Sequence, residues 1–315
     1  MWRTHSCVPR RHSCRRPVWP QAGVEKVSTR HARVRAPHWN GLVLAIAAVA
    51  LCVPLSAQWP RYATAGVPRT RDGKPNLSAP APKTADGKPD LSGIWENTRQ
   101  APLSGGVGGA AGAPLDSGAP PTGLNQFRDI GSGLKDGLPL QPWAAELKKK
   151  RMDDISKDNP DAHCLPMGNM QFTTHPQPRK IVQTPGLIVI LYEGNAGIRQ
   201  ILMDGRPLPK DPDPWWYGYS TGKWEGDTLV VETSGFRDGG WLDINGSPLT
   251  DAAKTIERIR RVNYGNLEIE ITVDDPKAYT KPWTVKVNQV IMLDSEMIEF
   301  ICAENERDAA HLVGK

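Results

Sequence analysis

Residues 255–273 read TIERIRRVNYGNLEIEITV, and this stretch decides the fold class. Two runs rich in β-branched and apolar residues, Thr255–Tyr264 and Leu267–Val273, flank Gly265-Asn266, a pair typical of a tight turn. In the second run every other residue is apolar, which places those side chains on one face of a strand. The stretch therefore predicts an antiparallel hairpin with one buried face.

The same pattern recurs along the chain between residues 179 and 302. Together with Leu91–Asn97 upstream, it predicts about ten strands joined mostly by short turns. Few connections are long enough to hold a crossover helix. The predicted fold is therefore mainly β, an antiparallel barrel or alternatively a β-sandwich. The further predicted strands are Lys180–Thr184, Leu187–Glu193, Ile198–Met203, Tyr217–Trp224, Thr228–Thr233, Trp283–Leu293 and Glu296–Cys302.

One accessory helix is predicted near residues 142–156, inside a single β-rich domain that spans residues 91–315. Pro142 suits the first helical position, and strong helix formers follow it. Trp143 and Ile155 fall on one apolar stripe of this helix. Residues 101–123 are dominated by Gly, Pro and Ala and are expected to form a disordered loop within the domain.

The first 57 residues have the composition of an export signal. They carry nine Lys/Arg and one acid, followed by the apolar run Gly41–Leu55 and the small residues Ser56-Ala57. The run is shorter than the roughly 20 residues of a transmembrane helix. We expect cleavage near Ala57 and a periplasmic or extracellular protein without stable membrane insertion; an uncleaved anchor is the alternative. Residues 58–90, with a duplicated Asp-Gly-Lys-Pro, are expected to form a flexible tether.

Removing the leader changes the charge and the cysteine content. The formal net charge falls from +5 to about −3, which removes the electrostatic support for a nucleic-acid partner. Only Cys164 and Cys302 remain. Two cysteines in an oxidising compartment predict one disulfide, with two separate buried thiols as the alternative.

A series of motifs resembles those of an uncharacterised family of exported bacterial proteins. The resemblance covers about residues 86–315 and implies export and a common fold, but it brings no activity. The motifs, in order, are DLSGIW at 90–95, IVQTP at 181–185, DGRPLP at 204–209, WEGDTLVVET at 224–233, DPKAYTKPW at 275–283 and CAENE at 302–306.

A second resemblance is to lipocalin-like barrels. Gly93-Ile-Trp95 opens the first predicted strand, as Gly-x-Trp does in those proteins, where the Trp closes one barrel end. The family pattern includes an Arg partner for the Trp in the last strands, which this sequence lacks there, and Arg258 or Arg260 is the candidate substitute. Unlike the family pattern, about 80 residues separate this strand from the next one.

Catalytic motifs are scarce in the sequence. It contains no His-Glu-x-x-His and no phosphate-binding Gly-Lys-Ser/Thr. Glu225-Gly-Asp227 is interpreted as the turn of a hairpin. The alternative is a carboxylate-dependent hydrolase or carbohydrate-active enzyme that would use acids of this region. Those acids are Glu225, Asp227, Glu232 and Asp243.

The aromatic content favours a non-catalytic binding module. Aromatic rings with a few charged groups commonly line pockets for small molecules, so we expect an apolar, aromatic or glycan ligand and neither metal nor cofactor. A structural role in an envelope complex is a further alternative. The predicted ligand-binding residues are Arg199, Trp216, Tyr219, Arg258 and Trp283.

Overall fold

The computed structural model describes residues 63–98 and 129–302. The predicted leader at 1–57 and the Gly/Pro-rich segment at 101–123 lie outside these ranges. Within them, two α-helices occur, α1 (Pro142–Asp153) and α2 (Gly168–Thr174), and neither is long and apolar enough to cross a bilayer. The strands are β1 (Gly93–Asn97), β2 (Arg179–Gln183), β3 (Leu187–Tyr192), β4 (Gly197–Leu202), β5 (Tyr219–Glu225), β6 (Thr228–Ser234), β7 (Gly240–Trp241), β8 (Pro248–Leu249), β9 (Lys254–Asn263), β10 (Asn266–Asp274) and β11 (Trp283–Ile291).

Nine of the described strands close into a barrel in the order β1-β11-β10-β9-β6-β5-β4-β3-β2, with β2 pairing back to β1. The short β7 and β8 form a separate two-stranded sheet. The prediction of a mainly β barrel with an accessory helix is confirmed. The expectation of a purely antiparallel barrel is wrong, because β4 and β5 run parallel. An odd number of strands cannot alternate all the way round a closed barrel, and the long connection 203–218 lets β5 run in the same direction as β4.

Two further expectations differ from the structure. Glu296–Cys302 is not a strand. Since β1 already pairs with both β2 and β11, the barrel offers no free edge to which another strand could add. In α1, Trp143 is exposed and only Ala144 is buried, and Ile155 lies beyond the end of the helix and is exposed. The helix is instead held by the indole Nε1 of Trp143, which donates to the carbonyl of Lys277 at 2.9 Å.

The barrel interior has an apolar middle. Strand β9 buries every second side chain, and its Ile259 lies opposite Ile269 of β10. Leu229 of β6 and Leu267 and Ile271 of β10 are completely buried beside them. Each such side chain contributes about 1.5–3 kcal/mol through removal of apolar surface from water.

Trp95 closes one end of the barrel, called here the Trp95 end. Its indole Nε1 donates to the carbonyl of Leu91 at 3.0 Å, and the guanidinium carbon of Arg261 lies 4.9 Å from the ring centroid. Arg261 also donates to the carbonyls of Tyr264 and Asp90. The expectation that Arg258 or Arg260 would be the partner of Trp95 is therefore wrong by strand alternation, since both point outward from β9 and Arg261 points inward.

The segment 63–90, expected to be a flexible tether, is hydrogen-bonded to the barrel. The backbone amides of Tyr264 and Gly265 donate to the carbonyls of Ala79 and Leu77 at 2.8 and 2.9 Å. Its two Asp-Gly-Lys-Pro copies form matching turns. In each, the amide of the preceding Thr (70 or 84) donates to the carbonyl of the Lys (74 or 88) at 2.8 Å.

Cys164 and Cys302 form a disulfide, with their Cα atoms 5.5 Å apart. The bond joins the stretch just before α2 to the segment that follows β11. The predicted pairing is therefore present in the structure.

We expect Arg261→Met to lower the free energy of unfolding by about 2–4 kcal/mol. The change removes the cation from the Trp95 ring and leaves buried carbonyls without their donor. The matched control is Arg260→Met on the outer face, which should cost about 1 kcal/mol or less because its ion pair with Glu268 is exposed. Urea unfolding of both variants tests this, and equal losses would contradict the inward role of Arg261.

Candidate functional site

The end of the barrel opposite Trp95 is built from polar and aromatic side chains. Here β1, β3, β6 and β10 end and the remaining barrel strands begin. Helix α2 lies at this end, because the side-chain amide of Asn97, the last residue of β1, donates to the carbonyls of Thr173 and His175 at 2.9 and 2.8 Å. We call it the α2 end.

Arg199 and Glu257 form an ion pair inside the α2 end. Arg199 Nη1 donates to Glu257 Oε1 at 3.1 Å, a second bond joins Nη2 to Oε2, and both side chains are almost fully buried. Burial by itself lowers the pKa of Arg199, but the neighbouring charge of Glu257 outweighs it and the pKa is raised. The guanidinium therefore stays charged, and the pair supplies a fixed dipole within the barrel.

Two hydroxyl groups complete the environment of the ion pair. Arg199 Nη2 donates to Ser220 Oγ at 3.2 Å and to Thr233 Oγ1 at 3.1 Å. The two hydroxyl oxygens are 2.9 Å apart and hydrogen-bonded to each other. The strand register continues this polar level around the barrel, because Thr233 lies opposite Thr255, Thr255 opposite Val273, and Val273 opposite Trp283. We call the resulting level the belt; it contains Ser220, Thr233, Thr255, Val273 and Trp283.

Several buried polar atoms at this end have no hydrogen-bond partner among residues 63–98 and 129–302. On the belt these are the Thr255 hydroxyl and Trp283 Nε1. On α2 they are both amide atoms of Asn169 and Gln171 Oε1. All four side chains are at least nine-tenths buried. A buried polar group left without a partner costs about 1–3 kcal/mol, so their concentration at one end is a feature that folding alone does not explain.

Local sequence keeps α2 short. It begins at Gly168, whose φ of +79° favours glycine and whose missing Cβ would lie 2.6 Å from the carbonyl oxygen of Trp216. It ends before His175, because the residue that precedes Pro176 disfavours the helical region. All seven helical residues are buried.

His175 is buried at the end of α2. Its pKa is lowered to about 4, first because burial disfavours the charged ring and then because Arg179 is nearby. The ring is therefore neutral at physiological pH. The bonds from Asn97 tie the end of α2 to the barrel wall beside it.

The five predicted ligand-binding residues do not lie together; the structure places them at three locations. Arg199 and Trp283 point into the α2 end. Trp216 is half-buried next to the start of α2, with the guanidinium of Arg237 4.9 Å from its ring centroid. Tyr219 and Arg258 lie on the outer side of the wall. The hydroxyl of Tyr219 accepts from Arg206 Nη1 at 3.3 Å, and Arg258 Nη1 donates to Glu225 Oε2 at 3.0 Å.

The acids considered for a hydrolase do not share a cleft. Glu225, Asp227 and Glu232 belong to the β5–β6 hairpin and are exposed or half-exposed, with Arg258, Lys83 and Lys223 as ion-pair partners. Asp243 is completely buried in the β7–β8 connection, where Ser247 Oγ donates to its Oδ2 at 2.8 Å. Three of the acids therefore lie on an exposed hairpin and the fourth lies in a separate buried loop.

Sequence reasoning missed the contribution of α2 and the true partner of Glu257. Glu257 precedes Arg258 in β9, but neighbouring residues of a strand point to opposite faces, so Glu257 pairs inside the barrel with Arg199 instead. Strict alternation along β9 could have assigned Glu257 to the interior. No comparable signal marks α2, because GNMQFTT has neither helical periodicity nor a side-chain N-cap.

A scan against protein-family models and a search of curated proteins find no match for the chain.

We expect the single changes Arg199→Met and Glu257→Leu each to cost about 3–5 kcal/mol of unfolding free energy, since each leaves a buried charge unpaired. The double variant should lose much less than the sum, because both charges are gone. Arg258→Met, on the outer face of the same strand, is the control and should cost about 1 kcal/mol or less. Strictly additive single losses in guanidinium unfolding would show that the charges do not interact.

We expect His175 to make the protein less stable in mild acid. Because its folded pKa of about 4 lies below the usual value of 6.5, the unfolded chain binds more protons between these values, and stability falls as the pH drops through them. The contribution lost by pH 4 is up to about 3 kcal/mol. The stability advantage of the wild type over His175→Gln should shrink accordingly between pH 7 and 4 in urea titrations. Parallel pH profiles would contradict a buried neutral imidazole.

Proposed function

We propose that this protein is an exported, non-catalytic binding barrel whose small-molecule site is the α2 end. The observation that carries the proposal is the set of buried polar atoms without partners on the belt and on α2. A ligand that both donates and accepts hydrogen bonds would satisfy these atoms and offset the free energy that their burial without partners costs.

The chemistry of the lining narrows the ligand class. Trp283 Nε1 is only a donor, Gln171 Oε1 is only an acceptor, and the Thr255 hydroxyl and the Asn169 amide serve as both. Tyr192, Phe172 and Trp283 add aromatic surface at the same end. These groups suit a compact molecule with an aromatic or sugar ring that carries hydroxyl groups. The separated acids described above give no comparable support to a hydrolase.

A trade-off between stability and binding tests the site. Thr255→Val replaces an unpartnered buried hydroxyl by a methyl group of similar shape. We expect the free protein to become about 1 kcal/mol more stable and the affinity for a bound ligand to fall roughly tenfold. Thr272→Val, on the outer face of β10, removes a hydroxyl that is hydrogen-bonded to Thr284 at the surface; it should leave the affinity unchanged and should not stabilise the protein.

The binding measurement uses isothermal titration calorimetry with phenol, indole, D-glucose and octanoate as probes. Binding of at least one probe that is weakened in Thr255→Val supports the proposal. No binding of any probe, together with a Thr255→Val variant that is less stable than the wild type, would indicate that ordered water alone satisfies these atoms and would overturn it.

A further inference from the structure

Phe172 of α2 is buried against aromatic rings at the α2 end of the barrel. Its ring is stacked on Tyr192, with centroids 4.2 Å apart and planes inclined by 8°. The ring of Tyr217 is also nearly parallel to it, at 6.1 Å and 5°. Tyr192 and Tyr217 are themselves 6.3 Å apart and inclined by 10°. Tyr192 and Tyr217 are too close together to lie on opposite faces of the Phe172 ring, so Phe172 stacks on Tyr192 and Tyr217 does not cover its other face. We call the space that the Phe172 ring fills the slot.

Two glycines make room for the ring. A Cβ at Gly197 would lie 2.8 Å from Phe172 Cε2 and 2.7 Å from the Tyr217 hydroxyl, and a Cβ at Gly194 would lie 3.0 Å from Phe172 Cε1. The φ of Gly197 is −67°, which any residue adopts. Backbone conformation therefore does not require glycine at 197, whereas close approach of a ring does.

The helix that carries Phe172 is tied to the rest of the protein at both ends and by Gln171, but some of its buried side-chain atoms have no partner. Cys164 lies four residues before α2 and is joined to Cys302, and Asn97 binds the carbonyls at the far end. Between these ties, both side-chain amide atoms of Asn169 and the side-chain oxygen Oε1 of Gln171 have no partner in the described residues. Their desolvation cost, about 1–3 kcal/mol each, offsets part of the gain from burying Phe172.

We propose that this slot is a ring-binding subsite, that Phe172 stands in for the ring of the ligand, and that a planar aromatic ligand displaces it. The inference rests on the proposed binding function and names the ligand class for it. The Tyr192 face would stack on the ligand ring as it now stacks on Phe172, while the freed polar atoms of α2 would meet solvent or the ligand. The disulfide keeps the displaced helix attached beside the site.

Phenol and cyclohexanol, which match in size but not in planarity, test the subsite by calorimetry. In Phe172→Ala no side chain has to be displaced, so we expect phenol to bind at least tenfold more tightly than to the wild type and cyclohexanol to gain much less. Adding Gly197→Ala to Phe172→Ala places a methyl group in the slot and should abolish the gain. Equal gains for both probes, or a gain that survives Gly197→Ala, would overturn the proposal.

Hydrogen exchange of the wild type provides a measurement that does not depend on a variant folding. Saturating phenol should speed exchange of the α2 amides several-fold, because the helix leaves its position, while the amides of β10 stay protected. Binding that leaves α2 protection unchanged would refute displacement of Phe172 and leave the broader binding proposal standing. If no probe binds to the wild type or to Phe172→Ala, both proposals fail.

Discussion

The closure of the barrel by β1 is the constraint on which the rest of the structure depends. This strand has only five residues, yet it pairs with β2 through one edge and with β11 through the other. Closure removes the unpaired edges that an open sheet would present to other chains. It also creates an interior in which every polar group has to find a partner inside the protein or in a bound molecule. The two ends of the barrel meet that requirement differently.

At the Trp95 end the requirement is met by the protein itself. Arg261 is enclosed, but its donors are used by backbone carbonyls and its charge lies over aromatic rings. At the α2 end the Arg199–Glu257 pair is satisfied in the same manner, whereas the belt and α2 retain atoms without partners. One end therefore serves closure, and the other is the end at which we propose that a ligand binds. This contrast within one barrel is a stronger argument for binding than the aromatic content alone.

Much of the barrel could be predicted from the sequence because alternation is a local signal. The β9–β10 hairpin and most other strands fall within a residue or two of their predicted bounds, and the disulfide followed from the cysteine count. The parallel β4–β5 pair could not be predicted, since it depends on how the whole sheet closes. For the same reason, only part of the candidate site could be predicted from the sequence. Arg199 and Trp283 point into one barrel end, but Arg258 points outward, and α2 is held by distant contacts that leave no periodic mark in its sequence.

The disulfide has a topological consequence for how the molecule comes apart. The covalent ring from Cys164 to Cys302 encloses every described barrel strand except β1. A pulling force applied to the N-terminal side of the chain would therefore separate β1 from its two neighbours. The other barrel strands would stay within the loop that the disulfide closes. The product would be an eight-stranded open sheet with β2 and β11 at its rims. A short peptide with the sequence of β1, added separately, could pair with both open edges and close the barrel again, as in complementation between fragments of a split protein.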